Sequence, residues 1–137
     1  GDVVHRGVTV EQMGDALPAV NLGAAARSVS AGTQHTCAIL EGGSVKCWGL
    51  NDAGQLGIGS VVNAGDAVGA LGAVDLGTGR TAVALDLGTH SCALLDDGSV
   101  KCWGANTDGE LGQGDTNPRG AAPGTMGDAL LPVDLGE

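Results

Sequence analysis

The side chains with the most chemistry to offer in this sequence come as a doublet. His35, Cys37, Cys47 and Trp48 recur as His90, Cys92, Cys102 and Trp103, each 55 positions further on. Self-similarity at a fixed spacing marks a repeat architecture. Paired thiols admit three chemistries. They join as a disulfide, they stay reduced and pack like small apolar residues, or they ligate zinc together with His35 or His90. The zinc reading has no Cys-x-x-Cys knuckle to support it.

The elements that position the cysteines favour the disulfide. Residues 36–40 and 44–48 are short apolar runs around the turn Glu41-Gly42-Gly43, and the second copy turns at Asp96-Asp97-Gly98. A three-residue connection ending in Gly43 or Gly98 fits a type I turn followed by a left-handed residue. That turn sets the register of a β-hairpin. Leu40 faces Ser44, Ala38 faces Lys46 and Cys37 faces Cys47, the last as a non-hydrogen-bonded pair, where Cα atoms come closest. The same holds for Cys92 and Cys102. Disulfides Cys37–Cys47 and Cys92–Cys102 are therefore expected. They imply an oxidising compartment, extracellular or periplasmic.

Other candidates for chemistry are weaker. His35 and His90 are expected to hydrogen-bond within or between repeats. Asn106-x-Asp108-Gly109-Glu110 is faintly similar to a calcium loop but is short of ligands, and its partner copy Asn51-Asp52-Ala53-Gly54-Gln55 lacks two of the oxygens. No Ser-His-Asp or Cys-His arrangement stands apart, so no catalytic residue, no metal and no cofactor is expected. Trp48 and Trp103 hold the same place in each repeat and are expected to pack.

Composition narrows the classes. The 137 residues include 26 glycines, no Tyr and no Phe. A core must come from Val, Leu, Ala, Ile and the two tryptophans, with many tight turns. Six Lys and Arg stand against sixteen Asp and Glu, a formal charge of −10. A nucleic-acid footprint is missing, and no apolar run approaches the roughly 20 residues that span a bilayer.

A second repeated element flanks the hairpins. Residues 1–23 match residues 114–136, from Met13-Gly14-Asp15-Ala16-Leu17 against Met126-Gly127-Asp128-Ala129-Leu130 to the closing Gly23 and Gly136, with a poorer middle copy at 68–77. Each copy ends in an alternating run, at 19–22, 73–76 and 132–135, that predicts a half-buried strand. Residues 25–31 and 81–87 predict a second strand, and the hairpin adds two. The expectation is four antiparallel strands per repeat. The units are a partial repeat at 1–34, a repeat at 35–89 and one incomplete at its end at 90–137.

Four short strands at this period fit a β-propeller blade. The motif His-x-Cys-Ala-[Ile/Leu]-Leu-x-x-Gly-Ser-Val-Lys-Cys-Trp-Gly, followed by Asn-x-x-Gly-[Gln/Glu]-Leu-Gly, resembles the regulator-of-chromosome-condensation repeat, in its cysteine-containing secreted bacterial version. The residues that carry the resemblance are His35, Gly43, Trp48, Gly49, Asn51, Gly54, Leu56 and Gly57, then His90, Gly98, Trp103, Gly104, Asn106, Gly109, Leu111 and Gly112. The resemblance implies an all-β, seven-bladed propeller whose members act mainly by binding other proteins. None of the residues for nucleotide exchange on a small GTPase can be matched.

The expected function is thus a non-catalytic protein-interaction module. The loops after each tryptophan differ most between copies, and Ser60, Asn63, Asp66, Asp115, Asn117 and Arg119 are the candidate partner contacts. Alternatives are a structural subunit of an extracellular assembly or fibre, and a carbohydrate-binding propeller; exposed tryptophans would favour the latter. A closed propeller needs at least four blades, roughly 220 residues at this period. Two repeats leave open sheet edges. The chain is therefore expected to work with further repeats or further copies of itself, and not to be a stable monomer alone.

Overall fold

The computed structural model describes residues 3–65 and 71–136. Six strands form, β1 (Ala26–Ala31), β2 (His35–Leu40), β3 (Val45–Gly49), β4 (Ala82–Leu87), β5 (His90–Leu95) and β6 (Val100–Gly104). They make two antiparallel sheets, β1-β2-β3 and β4-β5-β6. Short 3-10 turns at Val10–Gln12, Gly14–Ala16 and Gly127–Ala129 are the only helical elements among the described residues.

Gly43 and Gly98 hold φ of +79° and +85°, the left-handed conformation the hairpin turns need. Their amides bond the carbonyls of Leu40 and Leu95 at 2.8 and 3.0 Å. The resulting register pairs Ala38 with Lys46 and Cys37 with Cys47, and likewise Ala93 with Lys101 and Cys92 with Cys102. This is the register the turn length dictates.

The fourth strand of each blade departs from expectation. Residues 73–76 make one bridge to β3, Ala73 opposite Lys46, with the Val74 amide donating to the Val45 carbonyl at 2.9 Å. Residues 132–135 make one such bond, from the Val133 amide to the Val100 carbonyl at 2.8 Å. No ladder forms at 73–76, where the neighbouring carbonyls turn to groups of the second repeat. Asp75 accepts from the Gly127 amide and Leu76 from Lys101 Nζ, each at 3.0 Å. Pro132 has no amide hydrogen to give. The run at 19–22 pairs with no strand among the described residues.

The sheets therefore group the chain out of phase with the sequence period. Each contains a first strand, a hairpin and the run that follows it, so the boundaries at 34/35 and 89/90 fall in the β1–β2 and β4–β5 turns. One core lies between the sheets. Ile39, Val45 and Leu56 from the first repeat meet Leu95, Trp103, Met126 and Leu130 from the second.

Candidate functional site

Two places gather the repeated polar residues: the joint between the sheets, and the loops that follow each tryptophan.

At the joint, His35 Nε2 donates to Ser91 Oγ at 2.8 Å, and Ser91 Oγ donates to the Gln55 carbonyl at 2.8 Å. Trp103 Nε1 donates to the same carbonyl at 3.1 Å. All four residues are buried. Burial pulls the His35 pKa down, and the like charge of His90 pulls it further. In this buried network each of these polar groups has a partner. Lys101, also buried, donates from Nζ to the carbonyls of Leu76 and Gly127 at 3.0 and 2.8 Å. Nearby, Asp128 accepts from the Thr78 hydroxyl at 2.6 Å and the Thr78 amide at 2.8 Å, which hold its carboxyl below the usual range. Ser91 and Lys101 escaped the sequence reading. Their signal was recurrence, since Thr36 and Lys46 hold the same places one period earlier.

Cys37 is bonded to Cys47 and Cys92 to Cys102, each across a Cα separation of 4.1 Å. The zinc alternative is set aside by this pairing. Among the described residues no group of three or more His, Cys, Asp or Glu side chains converges. In the calcium-like turn, Asn106 Oδ1 accepts from the Leu111 amide at 2.9 Å, and Glu110 accepts from the Asp108 amide at 2.8 Å. The side-chain oxygens of Asn106 and Glu110 thus face the protein's own donors.

The post-tryptophan loops are held by one buried residue each. Asn51 Oδ1 accepts from the Leu56 amide at 2.9 Å, while Nδ2 donates to the carbonyls of Ser60 and Val62 at 2.8 and 3.0 Å. Asn106 repeats the device with Leu111, Asp115 and Asn117. Both side chains thus use the amide nitrogen and the oxygen inside the fold. The two loops also touch each other. The Gly59 amide donates to the Gly120 carbonyl at 3.0 Å. A Cβ at Gly54 would collide with the Gly120–Ala121 backbone, so only glycine allows this approach.

The named loop residues divide. Asn63 Oδ1 accepts from the Asn51 amide at 2.9 Å, so this side chain braces its own loop. Asp115 and Arg119 form an ion pair at 2.8 Å, Asp115 Oδ1 accepts from the Asn117 amide, and Arg119 Nη1 donates to the Asn117 carbonyl. Ser60 is half-buried. Asp66 lies outside the described residues. Val61, Val62, Thr116 and Pro118, between these braces, are exposed. Trp103 is fully buried and Trp48 half-buried, which counts against a sugar-stacking surface.

Residues 26–55 and 88–110 match the family described as the Regulator of chromosome condensation (RCC1) repeat. Protein pim1 of Schizosaccharomyces pombe is 35% identical over 127 residues, which is 85% of this chain and 22% of that protein. The human E3 ubiquitin-protein ligase HERC2 is 36% identical over 90 residues, covering 65% of this chain and 2% of HERC2. Among solved structures, Prp20p from Saccharomyces cerevisiae superposes with a TM-score of 0.52 at 28% identity, over 69% of this chain and 24% of that one. Human WBSCR16 superposes with a TM-score of 0.58 at 19% identity, over 75% of this chain and 26% of that one, a likeness of fold alone.

The two sheets are blades of a β-propeller. The chain is built of RCC1-type repeats, and it spans about a quarter or less of the relatives it matches.

Proposed function

We propose that the chain is a non-catalytic protein-interaction module that presents a partner-binding surface on its two adjoining post-tryptophan loops. The observation that carries this reading is a division of labour. The loop backbones are anchored by Asn51 and Asn106, while Val61, Val62, Thr116 and Pro118 stand exposed and differ between copies. A rigid backbone with free side chains is what a binding surface needs at low entropic cost. The relatives support it: yeast RCC1 (Prp20) is bound by Kap60 in one structure, and Prp20p has binding properties to Gsp1p and histones. The strongly acidic charge argues against a nucleic-acid partner for this chain. The hairpin disulfides support an extracellular or periplasmic setting.

The test replaces Val61, Val62, Thr116 and Pro118 together by serine. Affinity capture from the source organism's secreted fraction should retain a partner on the parent chain and lose it on the variant, with the melting temperature unchanged. A partner retained equally by both chains would place the contact elsewhere.

A further inference from the structure

The two post-tryptophan loops meet at an apolar patch. A Cβ on Gly59 would stand 3.5 Å from Pro123 Cα, and the Gly59 amide holds the Gly120 carbonyl at 3.0 Å. Just beyond that contact in the first loop, Val61 and Val62 are 53% and 68% exposed. Pro118, Ala122 and Pro123 are exposed around it in the second. Asn51 fixes the carbonyls of Ser60 and Val62, and Asn106 fixes that of Asn117. The patch thus sits on backbone that needs little ordering on binding.

The charge around the patch has one sign. Residues 49–65 and 105–125 carry Asp52, Asp108, Glu110 and Asp115 against a single cation, Arg119. That cation is already used. Its Nη2 is paired with Asp115 at 2.8 Å, and its Nη1 donates to the Asn117 carbonyl at 2.7 Å. Asp52, Asp108 and Glu110 form no ion pair among the described residues. They stand beside the loops because their turns are bonded to them. Asp52 follows Asn51, whose amide and side chain hold Asn63, Ser60 and Val62, and Gly109, between Asp108 and Glu110, approaches the Asp115 carbonyl. Glu110 is held below the usual carboxylate range by its own amide and then by that of Asp108, so it stays ionised below neutral pH. The turns at the other end of the strands differ. There Asp96 and Asp97 share Arg80, at 3.7 and 2.7 Å.

We propose that this surface takes a basic segment of a partner protein, in which lysine or arginine flanks aliphatic residues; this rests on the loops being the contact site. Val61, Val62 and Pro118 form an apolar centre, and Asp52, Asp108 and Glu110 a charged rim, the arrangement of a protein interface. Aliphatic side chains cover the valines, and cations answer the carboxylates that the chain leaves unpaired. An acidic segment would set like charges together. A small polyamine would bring the cations but nothing to cover the patch.

Selection of random dodecapeptides displayed on phage against the full chain tests it, with no bias toward either sign of charge. Enriched peptides should carry an excess of Lys and Arg beside Val, Leu or Ile. Labelled with a fluorophore, they should bind in anisotropy titrations with an affinity that falls as salt is raised. The triple variant Asp52→Asn, Asp108→Asn, Glu110→Gln should weaken them about tenfold, as three exposed charge pairs are lost. It keeps the oxygens that accept from Gln55 and from the Asp108 amide. Val61→Ser with Val62→Ser should weaken them by about as much. The control Asp15→Asn, Glu41→Gln, Asp86→Asn, at exposed positions outside the loops, changes the net charge equally and should leave the affinity unchanged. Enriched peptides that are acidic or neutral but depend on Val61 and Val62 would overturn the basic partner and leave the loop surface standing. Peptides whose binding ignores the two valines would overturn the proposal and move the contact off the loops. A control variant as weak as the loop variant would reduce the effect to net charge and overturn it, as would a selection that enriches nothing. Should the triple variant lose its fold, an affinity of the parent chain that is the same at low and high salt overturns it equally.

Discussion

The two sheets have nearly the same hairpin sequence and the same hairpin register, yet they do not live in the same surroundings. Trp103 is sealed against Gly57 and Met126 and donates to Gln55. Trp48 lines an open pocket with Val3, Gln34, Leu50 and Asn63. Lys101 is buried with two carbonyls, whereas Lys46 is only half-buried. His35 has its serine across the joint, and His90 has no counterpart there. Local sequence makes the hairpin, and the neighbouring repeat makes the burial. A blade is a unit of conformation here, but stability belongs to the joint.

The largest effect should come from the tryptophans. Trp103→Ala removes a fully buried side chain and leaves a cavity, at a cost of about 3–5 kcal/mol. Trp48→Ala, at a half-buried site, should cost about 1–2 kcal/mol. Urea unfolding of the two variants measures the difference. Equal losses would mean that Trp48 is covered in solution, which points to an assembled state.

Next come the features that the sheets share. Each disulfide closes a loop of 10 residues, so each should contribute on the order of 2–3 kcal/mol, the same in both sheets. Alkylation without reductant followed by intact mass should find no reactive thiol. Four alkylated cysteines would remove the cross-links from the account. Substituting one pair at a time by alanine should lower the urea midpoint equally, and an unequal drop would show that the joint also supports one hairpin.

Asn51→Ala and Asn106→Ala should each cost about 2–3 kcal/mol, because the amide of Leu56 or Leu111 and two loop carbonyls lose their buried partner. Thr116→Ala and Val62→Ser, at exposed positions, should change stability by less than about 0.5 kcal/mol. Thermal melting separates the two groups. If the exposed changes are as damaging as the asparagines, the loops are structural and the interaction surface lies elsewhere.

Much of this was legible in the chain because it is local. Turn length at Gly43 and Gly98 implied the register, and the register placed Cys37 against Cys47. Recurrence alone marked His35, Asn51 and Leu56 as repeat residues. What was not legible depends on atoms far apart in sequence. The run at 73–76 alternates like a strand, but Asp75 and Leu76 turn their carbonyls to groups of the second repeat. The same distance effect hid the role of Lys101, whose two acceptors lie 25 and 26 positions away. Asn63, a candidate partner contact, also braces Asn51, a link 12 positions long that the sequence does not display. The identical segments at Met13 and Met126 could not reveal from sequence that one is sealed and the other open.

The smallest effect concerns acidity, and it separates the joint from the surface. Burial, then the charge of His90, depresses His35 below its ordinary value of 6.5. The unfolded chain therefore takes up a proton that the folded chain resists. Stability should fall as pH drops from about 7 through the ordinary histidine value, and level off once the depressed value is passed. The carboxylates behave oppositely. Asp97, held down to about 2 by its bonds from Ser99, and Asp115, held down by Arg119 and the Asn117 amide, contribute above the ordinary carboxylate value of 3.8. Their part is lost only as pH falls on through the depressed values. Melting temperature against pH should thus show two declines, one in the histidine range and one in acid. His35→Gln keeps a side-chain donor for Ser91 but cannot titrate, so it should flatten the first decline and leave the second. His90→Gln, which removes the like charge beside His35, should soften the first without abolishing it. A first decline that survives His35→Gln unchanged would move the titrating group away from the joint.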